Sequence, residues 1–148
     1  MKLLIATDGS EFSERAIQKA CELAGTAANW SLKIVSVCEP QTPAAAEPFA
    51  LSGEYYAKLA EFAREKAEHS AEEAVRQIKA IGTNAFADIT SEVELGRPSQ
   101  VIIDKANEWN ADLIVVGSHG RGFWGRLTLG SVSDAVVRHA QCSVLVVK

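Results

Sequence analysis

Apolar positions along this chain switch between two spacings. Short apolar runs at Lys2–Thr7, 32–38, 87–95, 113–116 and Ser143–Val147 predict five strands. Between them, apolar residues recur three and four apart, which predicts helices. Ala16, Ile17, Ala20, Leu23 and Ala24 mark one over 13–24, and Asp8-Gly9-Ser10 supplies the turn and cap before it. A long helix over 54–81 carries the stripe Leu59, Ala63, Ala67, Ala71, Ala74, Val75 and Ile78. That stripe is mostly alanine, so this helix can lie close against a sheet, and Gly82 is placed to end it. Pro98 opens a further helix that ends near Asn110, and a short one is predicted over 131–140. Residues 39–53 hold three of the four prolines, which excludes a helix there and predicts a flexible loop or lid.

The order is therefore βα repeated four times and closed by a strand. Right-handed crossovers turn that order into a three-layer α/β/α fold with a five-stranded parallel sheet. The common strand order for such a sheet is 3-2-1-4-5. A length of 148 residues is one domain, 1–148, with no internal repeat.

Composition narrows the class. Apolar residues make up 47% and charged residues 23%, as in soluble globular proteins. A net charge of −4 argues against a general binder of nucleic acid or membrane surfaces, both of which are anionic. A local basic group remains late in the chain: Arg121, Arg126, Arg138 and His139. No stretch is apolar enough to span a bilayer, and residues 1–8 read as a strand and not a signal peptide. Cys21, Cys38 and Cys142 lie in apolar contexts without CxxC spacing, which predicts buried reduced thiols. A cytoplasmic location is expected.

Chemistry concentrates in Gly117-Ser-His-Gly120, followed after nine residues by Gly130-Ser131. Glycines after a strand let backbone N–H groups face an anion where a Cβ would block the approach. The third glycine opens a helix, whose first turn carries unpaired N–H donors and partial positive charge. In the expected strand order, β-strands one and four are neighbours where the order reverses, so Asp8 and Gly117 face one crevice. The amides around Gly120, Gly130, Ser131 and Val132, with the Ser131 and Ser133 hydroxyls, can donate to phosphate. Asp8 can accept from a ribose hydroxyl or hold a divalent ion that bridges to phosphates. Val37 can wall a base. The bland alternatives are that Ser131 merely caps its helix, since Ser131-Val-Ser-Asp134 has capping-box spacing, and that Asp8 is a turn residue or the cap of the first helix. His119 is either a phosphate contact or a solvent-facing loop residue, and His69 lies on a charged helix face. Trp124 and Phe123 are either a lid or partner contact or ordinary packing.

Absences matter as well. There is no P-loop, no lysine between Gly117 and Ser131, and no metal-ligand spacing among the histidines. Asp8 and His119 are the only candidate bases, which favours a nucleotide holder over a rapid enzyme.

The chain resembles the universal stress protein family over nearly its whole length. Residues 4–10, the run 111–122 with 129–133, and the ending 136–147 carry the resemblance, with the motif G-x2-G-x9-G-[ST] matched without a gap. The resemblance implies an adenine nucleotide α-hydrolase-like fold and ATP binding, with AMP or ADP as other ligands and Mg2+ or Mn2+ accompanying the nucleotide. It implies Asp8 and Val37 for the adenosine, and Gly117, Gly120, Arg121, Gly130, Ser131, Val132 and Ser133 around the phosphates. It also implies homodimerisation through the last strand, which agrees with the apolar edge 144–147. The function expected is a nucleotide-dependent regulatory or binding module in stress response. The alternatives are a slow ATPase or nucleotidyl-transferring enzyme using metal at Asp8, and a dimeric protein-interaction module that does not use nucleotide. Two departures stand out: Gln141 and Ser143 flank Cys142 where prolines are common, and Phe123-Trp124 is bulky.

Overall fold

A computed structural model describes residues 1–25, 29–39, 53–82, 84–120 and 129–148. Within them strands and helices alternate: β1 (Lys2–Thr7), α1 (Glu11–Ala24), β2 (Trp30–Cys38), α2 (Gly53–Ile81), β3 (Phe86–Leu95), α3 (Pro98–Trp109), β4 (Leu113–Gly117), α4 (Ser131–His139) and β5 (Ser143–Val147). The strands form one parallel sheet in the order β3-β2-β1-β4-β5, as the alternation predicts. Helix α1 starts at Glu11 and not at residue 13, because Ser10 caps it. Strand β2 starts two residues earlier than the apolar run, at Trp30.

The period of two along β1 divides the core. Leu3 and Ile5 point to one face and pack with Ala16, Ile17 and Ala20 of α1 and Ala74 and Ile78 of α2. Leu4 points to the other, against Ile102, Ile103 and Ala106 of α3 and Val136 of α4. Leu3, Leu4 and Ile5 are fully buried, each stabilising the fold by about 1.5–3 kcal/mol relative to exposure. Leu23 departs from the expected α1 face and is exposed; Cys21 is buried there instead. In α2 the buried residues are Ala67, Ser70, Ala71, Ala74 and Ile78, so the stripe covers the sheet only from Ala67 onward. Leu59 and Ala63 are half-buried, and Tyr55 and Phe62 are exposed.

Cys21 and Cys38 are buried thiols, while Cys142 is only half-buried, because it sits in the turn before an edge strand. Burial pushes the Cys21 and Cys142 thiols up, so both stay protonated near neutral pH. Among the described residues, no helix is long and apolar enough to cross a membrane. The expected loop or lid lies outside the described residues over 40–52.

The two sheet edges differ. On β3, Glu92 pairs with Lys33 and Glu94 with Lys105 at 2.6 Å. The Lys33 ammonium holds the Glu92 carboxyl below its ordinary range. On β5, Ser-Val-Leu-Val-Val has no charge, and among the described residues its only strand partner is β4.

Candidate functional site

Strands β1 and β4 pair in parallel at the reversal of strand order, and the loops that leave their carboxyl ends wall one cavity. The first loop is short. Gly9 takes φ +68°, the left-handed region where a side chain is disfavoured. Its N–H donates to Thr7 Oγ1 (3.2 Å), and the Ser10 N–H donates to Asp8 Oδ1 (3.0 Å). Ser10 Oγ accepts from the Ser13 N–H (3.3 Å) and caps α1. Asp8 is therefore a turn former and not the cap, and it remains exposed at the cavity.

The second loop is held from within the sheet. The Ser118 N–H donates to Val147 O on β5 (2.6 Å). The Ser118 carbonyl accepts from the Gly130 N–H (2.8 Å) and from Ser133 Oγ (2.9 Å). Gly130, extended at φ −63° and ψ 156°, is the N-cap of α4, and no side chain among the described residues caps that helix. The capping box is thus not formed: Ser131 is the first helical residue and is exposed. The first-turn residues Ser131, Val132 and Ser133 line the cavity, and their N–H groups have no partner within the helix.

None of Gly117, Gly120 and Gly130 has positive φ; each is glycine because something stands close. A Cβ on Gly117 would lie 2.8–2.9 Å from the Phe12 backbone and Cβ. On Gly120 it would lie 3.0 Å from Asp8 Oδ2, and on Gly130 3.2 Å from Ser118 O and 3.3 Å from His119 Cα. The motif is therefore a set of clearances.

The cavity measures about 470 Å³, within the roughly 300–1,000 Å³ of small-molecule sites. Thr7, Asp8 and Ser13 form one wall, and Gly117, Gly120, Gly130, Ser131, Val132 and Ser133 face them. Val35, Val37, Val116 and Ile102 supply an apolar wall. All the expected site residues that are described line this one space, Val37 included. Arg121 lies outside the described residues, as do Arg126, Phe123 and Trp124.

His119 lines the cavity and is half-buried, with its ring 5.2 Å from Phe12 and Nδ1 3.0 Å from Ser118 Oγ. His69 is exposed, as are Arg138, which pairs with Asp134, and His139. Reading the sequence missed Glu39, Pro98 and Ile102 as lining residues. The signal was present: Val35 and Val37 are two apart on β2, Glu39 follows at the same spacing just past its end, and Pro98 and Ile102 are four apart on α3. Among the described residues, no group of three or more His, Cys, Asp or Glu could hold a metal ion.

A model of the universal stress protein family matches residues 1–148. A putative universal stress protein of Staphylococcus aureus (strain USA300) is 38% identical over 148 residues, covering 99% of this chain and 82% of that protein. Among solved structures, the chain is similar to the universal stress protein UspA from Lactobacillus plantarum, with a TM-score of 0.76 and 27% identity over 100% of this chain and 97% of the other. It is also similar to a universal stress protein solved in complex with cAMP, with a TM-score of 0.69 and 28% identity over 100% of this chain and 97% of that one. These neighbours share the adenine nucleotide α-hydrolase-like architecture, with strand order 3-2-1-4-5. Motif, topology and whole-length similarity agree: the chain belongs to the universal stress protein family.

Proposed function

We propose that this protein binds ATP at the cavity between β1 and β4 and works as a nucleotide-dependent regulatory or binding module in stress response. The observation that carries the reading is the convergence of Asp8, the three close-packed glycines and the uncapped α4 terminus on one cavity. Phosphates take the amides of the α4 terminus, the ribose hydroxyls take Asp8, and Val37 walls the adenine. The similar universal stress protein solved in complex with cAMP supports an adenine nucleotide as the ligand. AMP and ADP fit the same walls with fewer phosphate contacts.

Among the described residues no group of three or more carboxylates, histidines or cysteines could hold a metal ion, so Asp8 would hold Mg2+ or Mn2+ only together with the nucleotide phosphates. The uncharged β5 edge supports pairing with the β5 of a second copy, which completes its backbone hydrogen bonds.

Calorimetry on the full chain tests this. Wild type is expected to bind ATP in the micromolar range, about −8 kcal/mol. Gly130→Val, which forces a branched side chain against Ser118 O and His119 Cα, is expected to abolish binding. Unchanged affinity in that variant would show that phosphate does not sit on this loop. Steady ADP or AMP release that disappears in Asp8→Ala would assign a slow ATPase instead.

A further inference from the structure

Ser131 and Ser133 both carry hydroxyls at the start of α4 and both line the cavity, but their surroundings differ. Ser131 is exposed and is the first helical residue. Ser133 is 2% exposed, and its Oγ stands 2.9 Å from Ser118 O and 3.0 Å from Gly130 O. Both neighbours are carbonyl oxygens, which only accept. A serine hydroxyl has one proton, so the Ser133 proton is committed to the backbone. The lone pairs left on Oγ would repel a phosphate oxygen. Ser118 is 1% exposed, and its carbonyl takes the Gly130 N–H as well. Two donors thus fill both lone pairs of one buried carbonyl. The N–H of Ser118 is bound to Val147 O, so this residue is held at both of its backbone groups.

We propose that Ser133 is a positioning residue: its hydroxyl fixes the Gly130 end of the loop on Ser118, leaving phosphate contact to the α4 amides and Ser131. Ser118 and Gly130 are then joined before any nucleotide arrives, and the cost of bringing these two residues together is met during folding instead of on binding. This role rests on the ATP-binding reading above and specifies how the loop of that site is shaped.

The test joins calorimetry with ATP and with adenosine to amide exchange of Gly130, read by NMR in the nucleotide-free full chain. In wild type the Gly130 N–H is expected to be protected before ATP is added; protection that develops only with ATP overturns a preformed link between Ser118 and Gly130. Ser133→Ala is expected to speed Gly130 exchange and to weaken ATP binding about tenfold, with adenosine binding unchanged. Ser133→Thr, which keeps the hydroxyl, restores both. Ser131→Ala weakens ATP binding without altering Gly130 exchange. If Ser133→Ala weakens ATP binding while Gly130 exchange stays at the wild-type rate, Ser133 is a direct phosphate contact and the proposal fails. It fails equally if ATP affinity is unchanged. If wild type binds no ATP, the ATP reading falls first and this role falls with it; if wild type binds and only the Ser133 pattern is absent, the ATP reading stands.

Discussion

The turns after β1 and β4 end neighbouring strands and wall the same cavity, yet they are built in opposite ways. The β1 turn satisfies itself: Ser10 caps α1, Asp8 accepts from Ser10, and Gly9 bends the chain through positive φ. What it offers the cavity is a carboxylate. The β4 loop satisfies its own carbonyls at Ser118 and Gly130 but leaves the first N–H groups of α4 without a capping side chain. What it offers is donors. On the proposed function, a ligand with hydroxyls at one end and phosphates at the other would be oriented by the difference between the two loops.

That contrast can be broken most severely where the two turns touch. Gly117→Val drives a side chain into the backbone of Phe12, which has no rotamer to retreat to. We expect a loss of about 3 kcal/mol or more, read in denaturant unfolding, from overpacking between β4 and α1. A variant as stable as wild type would mean that the first turn of α1 yields easily. A milder break is Gly120→Ala, where the obstacle is the end of the Asp8 side chain at 3.0 Å. Here stability should hold while ATP affinity drops about tenfold as the carboxylate moves. Equal losses of stability and affinity would contradict this separation. The smallest effect sharpens the contrast from the other side. Ser10→Ala removes the α1 cap and should cost about 1 kcal/mol, with ATP affinity unchanged, because Ser10 serves the helix and not the cavity.

Much of this was legible in the residues. The parallel sheet follows from alternation and crossover handedness, which depend on local pattern, and the meeting of Asp8 with Gly117 follows from the common order of such a sheet. The apolar stripe of α2 misled over Leu59 and Ala63, because helical periodicity does not say how far the sheet beneath extends. The capping-box alternative at Ser131 stayed open because spacing cannot tell which residue leaves the helix first; Gly130 at the N-cap, with Ser131 the first helical residue, closes it. The reason for Gly117 lay beyond reach, since it depends on Phe12, more than a hundred residues away. Ser133 was legible as polar at the site, but the direction in which its proton points needed coordinates.

The bond from the Ser118 N–H to Val147 O has a consequence for the order in which the molecule can be made. The half-sheet of β1, β2 and β3 has its strands and its two covering helices as soon as β3 is synthesised. The loop that follows β4 lacks one of its anchors until β5 docks. The cavity is therefore complete only once β5 has docked, and on the proposed function nucleotide captured during synthesis would report the arrival of β5 in the sheet.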